Sequence, residues 1–513
     1  MIKEDSLKKR YFYKLFTNLT GLVISVVTMG IIPRGLGPKA YGDFNFLSNF
    51  FSQIVSFFDM GTSICFYTNL SKRPKESGLV TFYFYFIGIV SVITIAFVFI
   101  NHLTSAYVYI WPEQAIYYIY LAVGWGILVW IMQIFNQMTD AYALTVPAEF
   151  AKLFQKVLGM ILIVLLYVSH QLNLRNFFYY QYIILLILCG VFIWVIKNRG
   201  YNIKFIPKLS PKQVKDYTKE FYNYSHPLFV YSLIGLIVNI ADRWLLQIYG
   251  GSIQQGFFGL SYQIGAVCFL FTSAMTPLLW REFSIAFENK DIAKMASLFR
   301  RYIPLLYSMT AYFTCFIVLQ SDKVIYILGG QNYMGAFMAV TIMAFYPLHQ
   351  TYGQLSGSVF YATGETRLYR NIGIIVMLIG LPLTYFLIAP KEQFGLNAGA
   401  TGLAIKMVAI NFISVNILLF FNAKQLNLPF WRYVGHQIFS VGCLLSVATM
   451  AKLVIDYILG LSQNVIASFI LAGVLYTLLA VILVYKLPVV FGLKKQDIQS
   501  MVKTLLFYKE KSK

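Results

Sequence analysis

NLTGLVISVVTMGIIPRGLGPKAYGDFNFL, residues 18–47, joins the end of one apolar run to the start of another through a Gly- and Pro-rich break. The first run, 15–33, carries no charge until Arg34 closes it. A membrane-spanning helix needs roughly 20 mostly apolar residues, so each run is of the right length to cross a bilayer. The same alternation of apolar run and punctuation continues along the chain. It predicts spans at 15–33, 44–68, 79–100, 116–138, 147–169, 177–196, 225–249, 256–280, 303–320, 335–361, 371–389, 399–421, 436–459 and 465–486. The fold expected is all-α and polytopic, with about fourteen transmembrane helices.

Composition agrees with that reading. Of the 513 residues, 58% are hydrophobic and only 12% are charged, and the mean hydropathy is +0.66. A soluble domain holds about 45–50% apolar and 25% charged residues, so the apolar excess must face lipid. The segments between spans are short, which excludes an extracytoplasmic catalytic domain of the usual size.

The net charge of +21 would suggest nucleic acid in a soluble protein. Its distribution points to a membrane instead. If the N-terminus faces the cytoplasm, 33 of the 41 Lys and Arg fall in cytoplasmic segments, Lys152 and Lys156 at the inner end of the 147–169 run counted among them; five fall outside (Arg34, Lys39, Arg175, Lys323, Lys391), and three lie deeper within spans (Arg243, Lys406, Lys452). This is the positive-inside bias of a multi-pass protein with both termini cytoplasmic. A nucleic-acid partner is therefore not expected; the lipid bilayer is. The basic start (Lys8, Lys9, Arg10, Lys14) leads into an apolar run without a small-residue cleavage site and reads as a retained first helix. The five Cys lie in apolar runs without CxxC spacing and read as small buried hydrophobes. The glycines of RGLGPKAYG (34–42) lack the GK[ST] of a phosphate-binding loop.

Three segments read as basic amphipathic surface helices. In the first, Ser210-Pro211 supplies an N-cap and a first-turn proline, followed by Val214, Tyr217, Phe221 and Tyr224. The others are Phe283–Arg301 and Leu493–Lys511.

The halves of the chain repeat. GPKAYGDF at 37–44 aligns with GSIQQGFF at 251–258, an offset of 214 residues. Repeats in polytopic proteins form two bundles with a substrate site between them. The bundles expected here are related by a pseudo-two-fold axis along the membrane normal.

The 18–47 stretch also resembles the opening of MOP-superfamily polysaccharide transporters, the Wzx-type flippases of O-antigen and capsule units, in which a helix ends in Arg followed by LGP and a Tyr-Gly pair. FFDMGTSICFYTNLSK (57–72), NIADRWLLQIYGGSIQQGFFGLSYQIG (239–265), FYATGETRLYRNIGIIVMLIGLPLTYFLIAP (360–390) and FGLNAGATGLAI (394–405) are similar to later helices of that family. FGLNAGATG departs from the tighter Gly-Ala-Ala run of many relatives. The resemblance implies two six-helix lobes, as in the MATE transporters, around a central cavity that opens alternately to the two sides. It divides the chain into a basic N-terminus (1–14), a six-helix lobe (15–196), an amphipathic linker (197–224), a second six-helix lobe (225–421), two further helices (422–486) and a basic tail (487–513). It implies a bacterial cytoplasmic-membrane protein, not an enzyme, that flips undecaprenyl-pyrophosphate-linked oligosaccharides for surface polysaccharide synthesis. A polysaccharide polymerase and glycosyltransferases are its candidate partners. It implies no cofactor and no metal; a coupling ion, proton or sodium, is left open.

Ionisable residues inside spans mark candidate function, because burying them in lipid costs several kcal/mol. Arg243, Arg34 and Lys406 are the candidate substrate-binding cations; arginine in particular donates in a fork to phosphate and stays charged. Asp59, Asp242 and His349 are candidate cavity or coupling groups. Lys452 and Asp456, spaced i, i+4, are expected to pair. Asp140 and Glu149 read as interfacial, GQLSG (353–357) as close helix packing, and Tyr262 and Tyr346 as platforms for sugars. Each candidate also has a structural reading, as an interhelical ion pair, a helix cap or a snorkelling side chain. The alternatives to an oligosaccharide flippase are a lipid II flippase, a cation-coupled multidrug exporter of the same superfamily, and, from another class, a membrane glycosyltransferase or polymerase. The last would want a large outer loop or carboxylate-rich loop motifs.

The charge partition is directly testable. Accessibility tags at Lys75, Lys208, Lys294 and Lys424 are expected on the cytoplasmic side and tags at His102 and Lys391 outside; one reproducible inversion rejects the fourteen-span topology.

Overall fold

The computed structural model describes residues 7–201 and 209–496, and among these every regular element is helical. The chain folds as two compact units, Met1–Gly256 and Phe257–Lys513. Unit 1 contains α1 (Leu7–Asp59), α2 (Thr62–Lys72), α3 (Ser77–Leu103), α4 (Tyr107–Ile110), α5 (Ile116–Ala141), α6 (Thr145–Val168), α7 (Leu174–Asn198), α8 (Pro211–Ser225) and most of α9 (Phe229–Val267). The boundary falls inside α9, past the 197–224 linker and just beyond Gly251. Unit 2 continues with α10 (Leu270–Glu288), α11 (Ile292–Leu319), α12 (Ser321–Leu328), α13 (Phe337–Met343), α14 (Tyr346–Thr363), α15 (Thr366–Ile388), α16 (Gly399–Gln425), α17 (Phe430–Leu453) and α18 (Val465–Lys486).

Ten helices among the described residues are long and apolar enough to cross a membrane. The other four expected spans lie in α1 before Gly37, in the end of α1 with α2, across the end of α9 and α10, and in α13 with α14.

Of the three expected surface helices, one forms as read. α8 opens with Pro211 behind a complete capping box: Ser210 Oγ accepts from the Gln213 N–H, and Gln213 Oε1 accepts from the Ser210 N–H at 3.0 Å. Tyr217 and Phe221 are its buried face. Arg73 clamps its Glu220 with bonds of 2.8 and 3.0 Å, and the Tyr217 hydroxyl donates to Glu76. Burial and that carboxylate partner push the Tyr217 phenol up, so it remains a donor. The segment 283–301 is different. It is not a surface helix but the end of α10 and the first turns of α11, joined at Asn289–Asp291. Phe283, Met295 and Phe299 are fully buried there; their spacing served the packing of two long helices. The tail beyond residue 496, and Lys208, lie outside the described residues.

In unit 1, one core gathers Phe66, Tyr83, Trp130 and Phe221, with Phe66 stacked on Tyr83 at 4.5 Å. A second gathers Phe46, Phe51, Trp111 and Phe178. In unit 2, Phe283, Phe299, Tyr307, Tyr352 and Leu444 form the main core.

The 214-residue offset reappears as geometry. α1 and α9 each break at a single glycine of nearly the same conformation, Gly37 (φ 73°, ψ 167°) and Gly251 (φ 67°, ψ −174°). Side-chain-bearing residues rarely adopt that backbone. Beyond the breaks the two segments cross in direct backbone contact. A Cβ on Gly42 would overlap the Ser252 carbonyl oxygen, and a Cβ on Gly256 would overlap the Pro38 carbonyl oxygen. The offset maps 38 onto 252 and 42 onto 256. The contact is therefore reciprocal, as across a two-fold axis.

Gly42→Ala and Gly256→Ala should each lower the thermal unfolding midpoint of the detergent-purified protein, at a cost of about 1–3 kcal/mol. Gly190→Ala, where a Cβ meets nothing within 4 Å, should be neutral or slightly stabilising. Equal tolerance at all three positions would contradict the crossing.

Candidate functional site

A broken helix frees backbone donors that need a partner wherever the protein buries them. The two breaks meet this differently. At the first, Pro38 follows Gly37 and has no N–H to satisfy. At the second, Ser252 has one, and Glu113 from the turn before α5 accepts it at 3.1 Å and the Ser252 hydroxyl at 3.2 Å. The carboxylate thus sits at the N-terminus of the half-helix that starts at Ser252, where the helix dipole favours negative charge. Glu113 is itself held in a left-handed conformation (φ 64°).

A polar network surrounds this cap. Gln247 Nε2 donates to the Pro112 carbonyl and to Ser252 Oγ, both at 3.1 Å. Gln114 Nε2 donates to Asp43 of α1 at 2.7 Å. Trp244 Nε1 donates to the Tyr109 carbonyl at 3.1 Å. Gln247, Ser252 and Gln255 are almost completely buried.

Arg243 is anchored across the same break. Its Nη1 donates to Gln255 Oε1 at 3.1 Å, while Gln255 Nε2 donates back to the Arg243 carbonyl. Arg243 is partly buried, and Asp242 beside it is buried. Arg34, three residues before Gly37, is exposed. In sequence, Arg34 and Asp43 flank the first break, while Arg243, with Asp242 next to it, is bonded across the second.

Asp59 lies elsewhere, at the end of α1. It accepts from Thr62 Oγ1, the Ser63 N–H, Ser63 Oγ and the Tyr83 hydroxyl at 2.8–3.3 Å. This geometry is that of a helix cap: Asp59 ties the start of α2 across the Met60–Gly61 turn.

Lys406 and His349 belong to unit 2. Lys406 is buried, with its stem over Gly380 of α15. His349 abuts the Phe412 ring at 4.9 Å, and its Nδ1 has no hydrogen-bond partner among the described residues. Tyr262 and Tyr346 lie together, ring centroids 6.0 Å apart. Gly353 and Gly357 seat Val415 and Tyr369, as close packing requires.

Lys452 and Asp456 do not pair with each other. Lys452 donates to the Leu319 carbonyl and to Asp322. Asp456 takes both carboxylate oxygens to the buried Lys323, and Ser468 joins them. A π turn at Val454–Ile458 inserts between the two residues and rotates Asp456 out of the i, i+4 register. Lys323, expected in an outer loop, is instead a buried anchor in α12.

Sequence reasoning missed Glu113, Gln114, Gln247 and Gln255, which look unremarkable one at a time. It also placed Lys156 in a cytoplasmic segment. The structure sets Lys156 on the third turn of α6, folded over Gly21 of α1, with the buried Glu149 paired to Lys152 one turn earlier at 2.8 Å. The Glu149, Lys152, Lys156 spacing of three and four was the signal to read. Among the described residues no group of three or more His, Cys, Asp or Glu is placed to hold a metal.

A family model described as polysaccharide biosynthesis protein matches residues 7–281, just over half of the chain. No curated protein matches in sequence. Several solved structures share the fold. An inward-facing multidrug resistance transporter of the MATE family, MOP superfamily, superposes with a TM-score of 0.63 at 14% identity, covering 80% of this chain and 94% of its own. The lipid II flippase MurJ, in an inward closed conformation, gives 0.62 at 14% identity, covering 93% and 99%. A MOP-superfamily transporter from Pyrococcus furiosus, described by the reversed polarity of its binding pocket, gives 0.51 at 15%, covering 82% and 93%.

The Lys323–Asp456 pair is open to a decisive experiment. Asp456→Ala strands a buried ammonium and should cost about 3–5 kcal/mol, whereas the double variant Lys323→Met, Asp456→Leu should recover most of it. Chemical or thermal denaturation of the three proteins measures both; an additive double variant would contradict the pairing.

Proposed function

The chain belongs to the polysaccharide biosynthesis protein family, and from that premise we propose that it carries undecaprenyl-pyrophosphate-linked oligosaccharides across a bacterial cytoplasmic membrane by alternating access. At the coarser level it is a multi-pass transporter of MOP-superfamily fold. The observation that carries the finer reading is the pair of glycine breaks at equivalent positions of the two repeats, with arginines beside them. Matching breaks in the two halves support an internal repeat, the architecture in which substrate sites form at the repeat interface.

The transported lipid undergoes no bond-making or bond-breaking. The obstacle is desolvation of a pyrophosphate and its sugars, while the polyprenyl tail stays in hydrocarbon. Arg243 is suited to the pyrophosphate. Its fork matches phosphate oxygens, and the Gln255 anchor limits the rotamer entropy lost on binding. Arg34 and Lys406 are proposed as further cations along the path. Asp242 is proposed to balance the local charge, and His349 to take part in proton coupling. Asp59 is committed to its cap and is assigned a structural role. Tyr262 and Tyr346 offer apolar faces to sugar rings.

A second reading rests on the extent of the fold match. The lipid II flippase structure covers 93% of the chain, the MATE transporter 80%. A lipid II headgroup carries the same pyrophosphate, so it would use the same arginine.

Arg243→Ala should abolish surface glycan while the protein still reaches the membrane, and Arg243→Lys should restore it only in part, since Lys keeps the charge and loses the fork. Export is measured per folded transporter. Normal export per molecule in Arg243→Ala would sink the proposal. Normal glycan with loss of outward lipid II would favour the second reading.

A further inference from the structure

α8 packs on α2 and α3 through Tyr217 and Phe221, and between α3 and α8 runs an open groove of about 890 Å³, bordered by the α1–α2 turn. Its walls are almost entirely apolar: Phe82, Ile89 and Val92 from α3, and Val214, Phe221 and Tyr222 from α8. That volume is within the range of sites that bury a small ligand. Ile89 and Val92 are more than half exposed.

The charge around α8 is arranged by side. At 100° per residue, Val214, Thr218, Phe221, Tyr222 and Ser225 share the groove face. Tyr217 and Glu220 occupy one flank, and both are engaged, with Glu76 and Arg73. The other flank carries Lys212, Lys215 and Lys219, all exposed. Lys215 lies three residues from Thr218 and seven from Tyr222, on the groove's open rim. The acidic residues do not offset it: Glu220 is neutralised by Arg73, and Asp216 projects away from the groove. An apolar slot with a cationic rim, on an amphipathic helix, complements a molecule with a hydrocarbon chain and an anionic head.

We propose that this groove binds one anionic phospholipid of the surrounding leaflet, with a chain between α3 and α8 and its phosphate on Lys215 and Lys219. The lipid fills the side of α8 that the Arg73–Glu220 clamp leaves open. Its headgroup already lies at the depth of the lysines, so it reaches them by lateral diffusion alone. The site is distinct from the glycine breaks and stands independently of the substrate proposed above.

The test uses the full chain purified in detergent, with native mass spectrometry counting bound lipid during titration by phosphatidylglycerol or phosphatidylcholine. The wild type should retain one phosphatidylglycerol in preference to phosphatidylcholine. Lys215→Ala with Lys219→Ala should weaken phosphatidylglycerol about tenfold, as for loss of one or two charge-assisted hydrogen bonds, and leave phosphatidylcholine unchanged. Gly88 lies on the groove wall, and a Cβ there meets nothing within 4 Å; Gly88→Trp should fill the slot and reduce both lipids. Equal binding of the two lipids by the wild type, or an unchanged preference in the lysine double variant, overturns the proposal. Displacement of phosphatidylglycerol by equimolar undecaprenyl phosphate would also overturn it, assigning the groove to a polyprenyl chain.

Discussion

At Gly37 and Gly251 the helical hydrogen-bond ladder is interrupted between one expected span and the next, and a backbone donor freed there needs a partner wherever the protein buries it. Much of unit 1 is arranged around that deficit. Pro38 removes the unsatisfied donor at one break, and Glu113 accepts it at the other. The turn between α4 and α5 is shaped by the same need. Trp111 is buried under Phe51, Pro112 receives Gln247, Glu113 holds Ser252 and Gln114 holds Asp43. The breaks also allow two backbones to meet at Gly42 and Gly256, and they set the frame in which Gln255 holds Arg243.

Unit 2 solves a different problem, that of attaching α17 and α18. Apolar surfaces in a lipid solvent gain little from meeting one another. The attachment is instead polar and specific. Lys323 grips Asp456 and Ser468, Lys452 reaches Leu319 and Asp322, Tyr476 donates to the Tyr312 carbonyl, and Ser308 bridges Ser440 and Val490. Each joint carries a directional bond that lipid cannot imitate.

What could be read in advance follows from which signals are local. Apolar length and the sidedness of Lys and Arg are properties of short windows, so the spans were legible. Ser210-Pro211 announced α8 because capping is settled within four residues. Gly37 and Gly251 could be paired because their offset preserved the glycines at 42 and 256. The rest depends on distant partners. Nothing near Glu113 indicates a backbone N–H 139 residues away. A π turn has no spacing rule, so the separation of Lys452 from Asp456 was invisible. The Phe283–Arg301 pattern fits a surface helix and two packed helix ends equally well; only the neighbours decide. Asp59 showed its carboxylate but not the four donors waiting for it.

The reciprocal crossing at Gly42 and Gly256 has an implication for origins. Equal segments that exchange equal contacts are what two copies of a single chain present when they associate side by side. A half-length ancestor carrying Gly37 and Gly42 would have met its twin through this patch, and fusion of the two genes would have made the meeting intramolecular. At the 214-residue offset Pro38 corresponds to Ser252 and Asp43 to Phe257, so the two halves differ there while both keep the paired glycines.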